Sequence, residues 1–265
     1  MIPPVLANLT LDGLERVAHE AVHPRSLVNM VRYADDFVVT ARTPEQLTDR
    51  IIPAVSAFLA ERGLELSATK TRITTIDAGF DFLGATVRKY DGKLLMTPSR
   101  ASVKTFLDGI RGLIKARGSD SLRELVRLLN PRIRGWANYF RGLVSSRVFS
   151  YVDNAIYDSM VRWMRRRHPR KGLAWLRRRY FRSDGSRHWI IAAPQRKRDG
   201  SMAHSDLFRA SSLPIRRHVK VRAEATALDP AYEQYFQQRR KARRRFPVAG
   251  NVLPWDQTSR SPRHR

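Results

Sequence analysis

Tyr33-Ala34-Asp35-Asp36 constrains this chain more than any other segment. Before it runs the short apolar stretch Leu27-Val28-Asn29-Met30-Val31-Arg32, and after it Phe37-Val38-Val39-Thr40, rich in β-branched and aromatic residues. The pattern predicts a tight β-hairpin with two adjacent carboxylates at its bend. Two readings are open for that pair. Asp supplies good turn chemistry on its own. Paired hard oxygens also suit Mg²⁺, which carries the charge of a nucleotide triphosphate during phosphoryl or nucleotidyl transfer.

Charge is the second constraint. The 265 residues carry a formal net charge of +26, and its distribution is one-sided. Residues 1–97 hold 11 Lys plus Arg against 12 Asp plus Glu; the remainder holds 39 against 12. A balanced first third followed by a polycation predicts a polyanionic partner, with nucleic acid the natural one. Arg outnumbers Lys 41 to 9. Arg suits bidentate phosphate contact and stacking on bases, although a GC-rich coding bias accounts for most of that preference.

The chain has no Cys, which excludes disulfides and thiolate zinc sites. Its seven His show no metal-ligand spacing. No run approaches 18 apolar residues and no secretory leader opens the chain, so the expectation is a cytoplasmic protein with no membrane partner.

Further blocks flank the hairpin in a fixed order. Ile2-Pro3-Pro4-Val5-Leu6-Ala7-Asn8 precedes it. Gly63-Leu64-Glu65-Leu66-Ser67 with Lys70-Thr71, then Gly79-Phe80-Asp81-Phe82-Leu83-Gly84, follow it. Leu129-Asn130-Pro131-Arg132-Ile133-Arg134-Gly135-Trp136 comes later. In this order the chain resembles the reverse transcriptase–maturases of group II introns, from Ile2 to about Arg239. The resemblance implies an α+β fold. A partial reverse-transcriptase palm of short antiparallel strands plus helices would be followed by an α-helical thumb and maturase region.

It also implies roles for single residues. Asp35 would ligate Mg²⁺ with Asp36 as a second ligand or a support beside it, Tyr33 would pack below the primer terminus, and Lys70 would sit near the incoming nucleotide's phosphates. An exposed strand-end Lys is an equal reading of Lys70. Family members carry fingers and a first palm half, with another metal-binding Asp, upstream of the Ile2 block. The chain is therefore expected to be the C-terminal part of such a protein, inactive alone as an RNA-directed DNA polymerase. Another chain or an unbroken gene would then supply the rest. The expected partners are intron RNA and an RNA template with its DNA primer.

Coarse structure follows from spacing. One helix is expected through Leu6, Leu9, Leu14, Val17 and Ala21. Another opens at Thr43-Pro44-Glu45-Gln46 and ends at Gly63, with Pro53 kinking or splitting it. Leu64-Glu65-Leu66 reads as a strand. A further strand runs from Phe80 to Arg88, and Asp91-Gly92 turns it into a hairpin. Helices are expected from Ser99 and from the capping box Ser121-Leu122-Arg123-Glu124, with a restart after Asn130-Pro131. A last helix would run from Ser146 to His168.

Beyond Pro169, basic clusters alternate with Trp175, Tyr180, Phe181 and Trp189, a pattern suited to RNA with splayed bases or to a small aromatic core. Arg134, Arg141, Arg165, Arg166, Arg177, Arg178, Arg179 and Arg182 are the candidate nucleic-acid contacts. The expected divisions are a partial palm (1–97), a thumb (98–168), a maturase region (169–222), a basic DNA-binding-like segment (223–246) and a disordered tail (247–265).

Overall fold

The computed structural model describes residues 4–196, 199–217, 221–222, 225–226 and 228–245, with backbone alone for 4 and 241–245. The tail expected over 247–265 lies outside the described residues, as does part of the basic segment before it. The chain divides into two compact units between Thr105 and Phe106. Short antiparallel strands and helices make an α+β fold. Among the described residues no helix is long and apolar enough to cross a membrane.

The first unit begins with α1 (Pro4–Thr10) and α2 (Leu14–Glu20), where spacing predicted one helix. The break has a local cause. Gly13 takes a left-handed φ of 85°, which ends one helical register and starts another. The apolar stripe is broken with it: Leu11, Leu14 and Ala18 are buried, whereas Leu6 and Leu9 face out.

Strand β1 (Asn29–Tyr33) pairs antiparallel with β2 (Asp36–Thr40) as a two-stranded ribbon. Such a ribbon is marginal alone. Here Met30 is buried with Leu14 and Ala18 of α2 and with Val55, Phe58 and Leu59, and Phe37 and Val39 pack on that cluster.

The helix after Thr43 accommodates Pro53 by changing register. Residues Gln46–Ile51 form a π-helical turn, and α3 (Ile52–Ala60) restarts with Pro53 in its first turn. A proline there interrupts no α-helical hydrogen bond. Gln46 does not complete the expected capping box. Its Oε1 accepts from Arg42 N at 3.2 Å, while its backbone N–H donates to Thr43 Oγ1. Gly63, at φ 67°, closes the far end. The N–H of Leu64 bonds to Leu59 O and that of Gly63 to Ala60 O, the paired closure that a left-handed residue permits.

Residues 64–66 form no strand, because no neighbouring strand offers them a ladder. Leu64 and Leu66 instead pack on the helical cluster. The single strand expected over 80–88 is two strands, β3 (Phe80–Phe82) and β4 (Ala85–Tyr90). A bend at Leu83 (φ 50°) and Gly84 (φ 73°) separates them. The Asp91-Gly92 turn joins β4 to β5 (Lys93–Pro98) with Tyr90 opposite Lys93, both turn residues at positive φ.

Helix α4 (Arg100–Ala116) starts at Ser99, whose Oγ accepts from Ser102 N at 3.1 Å. Helix α5 (Leu122–Phe140) carries the capping box: Ser121 Oγ accepts from Glu124 N, and Glu124 Oε2 accepts from Ser121 N. The restart expected at Asn130-Pro131 does not occur; α5 runs through Pro131. The missing backbone donor is tolerated on an exposed face, next to a turn where Arg132 Nη1 donates to Leu128 O. Asn130 is engaged elsewhere, since its side chain donates to Asp206 O and accepts from Phe208 N, both at 2.8 Å.

Helix α6 (Ser146–Arg167) completes the helical core. Trp136 stacks on Phe106 at 4.7 Å and lies against Phe140 and Phe149. Helix α7 (Leu173–Tyr180) leads straight into a sheet that spacing did not predict. Its strands are β6 (Phe181–Asp184), β7 (Arg187–Arg196) and β8 (Met202–Asp206), antiparallel in the order β6-β7-β8. A 3₁₀ turn (Ala210–Ser212) rests on α6, where the Asp153 carboxylate accepts from Ala210 N and Ser211 N. A second 3₁₀ turn (Pro230–Tyr232), capped by Asp229, opens α8 (Glu233–Arg245).

Candidate catalytic hairpin and nucleic-acid interface

Ala34 and Asp35 alone form the loop between β1 and β2, with Tyr33 opposite Asp36 across the ladder. Strand alternation decides where each side chain goes. Met30 and Arg32 share the face turned to the helices, with Val39 and Phe37 opposite them. Val31 and Tyr33 share the other face with Val38 and Asp36. Tyr33 is accordingly 65 % exposed. Asp35, at the apex, and Asp36, the first residue of β2, are both exposed.

The loop is fixed from beneath. Ala34 sits at φ 55°, a left-handed conformation uncommon for a residue with a Cβ. Arg32 Nη1 donates to the Ala34 carbonyl at 3.2 Å and to Asn8 Oδ1 on α1 at 2.9 Å. Sequence reasoning missed both Asn8 and Arg32. The one available signal was a cation directly preceding Tyr33 on the inward side of the strand.

Lys70 lies in a turn rather than at a strand end; its N–H bonds to Ser67 O and its side chain is exposed. Among the described residues no three His, Cys, Asp or Glu side chains gather where they could hold a metal. Asp35 and Asp36 therefore offer two carboxylates as neighbours in sequence. Hard oxygens of this kind fit Mg²⁺, which commonly binds through one or two carboxylates and fills its octahedron with water and substrate phosphates.

In the second unit the candidate cations differ in their freedom. Arg165 and Arg166 are exposed in the last turn of α6, and Arg177, Arg178 and Arg179 in the last turn of α7. Cations there also complement the helix C-termini. Arg134 is exposed, its guanidinium 4.5 Å from the Phe208 ring centroid. Arg141 is half-buried: it donates to Asn138 Oδ1, and its Nε is buried without a hydrogen-bond partner. Burial, and then the nearby Arg216, lower its pKa.

Arg182 is half-buried and held by two carboxylates. Its Nε and Nη2 reach Asp206 at 2.8 and 2.6 Å, and Asp184 lies 3.3 Å from Nη1. These hydrogen bonds and charges raise its pKa further.

Residues 1–87 match the family model for reverse transcriptase, the RNA-dependent DNA polymerase. Residues 103–181 match the group II intron, maturase-specific domain. The chain belongs to the group II intron reverse transcriptase–maturases. No curated protein matches it significantly. As a reverse transcriptase–maturase it is a nucleic-acid-binding protein with a role in intron splicing. The hairpin falls in the reverse-transcriptase segment, and Arg134, Arg141, Arg165, Arg166 and Arg177–Arg179 fall in the maturase segment.

Proposed function

We propose that this reverse transcriptase–maturase contributes Asp35 and Asp36 as Mg²⁺ ligands for RNA-templated DNA synthesis. The observation that carries this reading is the exposed Asp35 at the apex of a two-residue loop, with Arg32 bracing the loop's carbonyl. Bound Mg²⁺ would neutralise nucleotide phosphates. Tyr33, on the face shared with Asp36, would support the primer terminus, and Lys70 would approach the incoming phosphates. Two-metal chemistry needs carboxylates from different elements. A further ligand would come from the fingers and first palm half of the family's fold.

In this assignment residues 1–97 act as partial palm, 98–168 as thumb, 169–222 as the maturase region and 223–246 as a DNA-facing segment. Its partners are intron RNA and a template–primer duplex, met in the cytoplasm. A second reading is favoured by the charge beyond residue 97, where 39 Lys plus Arg face 12 Asp plus Glu. In it the chain aids splicing through RNA binding alone, and the Asp pair is vestigial.

One experiment separates the two. Purified chain, with and without a family fingers–palm segment, is assayed for primer extension on an RNA template with Mg²⁺ and for intron splicing. Extension that Asp35→Ala abolishes while RNA binding persists supports the catalytic reading. Splicing support that survives Asp35→Ala, with no extension from either protein, supports the second.

A further inference from the structure

Trp189 stands out in the second unit. It is 48 % exposed and sits at φ 61°, a left-handed conformation rare for a bulky side chain. The strand register explains its placement. Arg182 pairs with Ile190 and Asp184 with Arg187, so His188 and Trp189 together oppose Ser183 alone. This is a β-bulge, a device that re-aims a side chain and that recurs beside functional sites. His188 Nδ1 and Ser183 Oγ, 3.0 Å apart, hold the bulge shut.

The displaced indole forms one wall of a cleft of about 580 Å³, within the range of ligand sites. Leu173, Ala174 and Phe181 supply apolar lining, and Arg177 and Arg178 supply cations. The Arg177 guanidinium lies 4.3 Å from the Trp189 ring centroid, and the Phe181 ring meets Trp189 edge-on at 5.8 Å. No carboxylate lines the cleft.

We infer that this cleft takes a single unpaired base of structured RNA, stacked against Trp189, with its flanking phosphates on Arg177 and Arg178. The assignment rests on the RNA-binding reading of the maturase region and adds a base-accepting site to it. An aromatic face with a guanidinium beside it is the chemistry by which unstacked bases are held, and every base has a face to offer. A fully paired helix keeps its bases inside and presents phosphate alone, so the cleft discriminates between the two.

The test uses the full chain and two RNA hairpins labelled with 2-aminopurine, one with the label bulged and one with it paired. Wild-type protein is expected to prefer the bulged hairpin by about tenfold and to change its fluorescence. Trp189→Ala should bring that preference close to one, and Trp189→Phe should keep most of it. Arg177→Gln, at an exposed position, should lower the preference a few-fold, which keeps the proposal testable if Trp189→Ala fails to fold. Equal binding of both hairpins by the wild type, or an undiminished preference in Trp189→Ala, overturns the cleft while leaving RNA binding intact. Failure to bind either hairpin overturns both.

Discussion

Arg32 and Asn8, 24 residues apart in sequence, meet at 2.9 Å through a guanidinium nitrogen and a side-chain carbonyl. The same nitrogen holds the carbonyl of Ala34, so a strained two-residue loop is tied to a helix at the start of the chain. Arg32→Ala should cost the first unit about 1 kcal/mol. More tellingly, amide exchange over β1 and β2 should quicken while that of α3 does not. Arg32→Lys should restore part of the protection, having one donor group in place of a fork.

Asp153 has a side chain only 7 % exposed and receives two backbone N–H groups at 2.7 and 3.0 Å, with Arg209 3.7 Å away. Asp153→Ala leaves both donors without a partner beside the buried Ala210. A loss of about 3 kcal/mol is expected. Asp153→Asn, which keeps one acceptor oxygen, should lose less. Urea unfolding of both variants checks the order.

Pro131 lies inside a helix that does not break around it. Replacing it by Ala restores a backbone donor and removes the ring, and the change should stabilise the protein by about 1–3 kcal/mol. A thermal melt that falls instead would show that the proline serves the helix path.

His168 and Tyr180 share a hydrogen bond of 2.6 Å, and Trp175 packs edge-on against the imidazole. Burial first, then Arg167, Arg179 and Lys171, hold the imidazole pKa below its ordinary 6.5. Between the folded and unfolded pKa values the unfolded chain binds more protons. Stability from the neutral imidazole is thus complete above pH 6.5 and declines as pH falls below it. The melting temperature of His168→Gln should vary less across that window than that of the wild type.

Sequence signals worked where the cause was local. Ser121 and Glu124 cap each other within one turn, Asp91-Gly92 supplies both positive φ angles of its turn, and α6 has a continuous apolar stripe. They failed where the cause was distant. The β6–β8 sheet brings Arg182 to Asp206, 24 residues away, and Pro194 fits β7 because β6 pairs only with the strand's earlier half. Asn130-Pro131 reads as a stop, yet Asn130 is anchoring Phe208. Leu83 gave no turn signal, since leucine rarely takes φ 50°. At the candidate site the carboxylates were visible in the motif, whereas the Asn8 brace needed the fold to bring it near.

Arg182 sits amid exposed arginines yet is claimed by Asp206 and Asp184. Brine that frees a polyanion from solvent-facing cations screens such a half-sheltered, two-pronged pair far less. Strong electrolyte should therefore strip a polyanion from the exposed arginines before it loosens the link between β6 and β8.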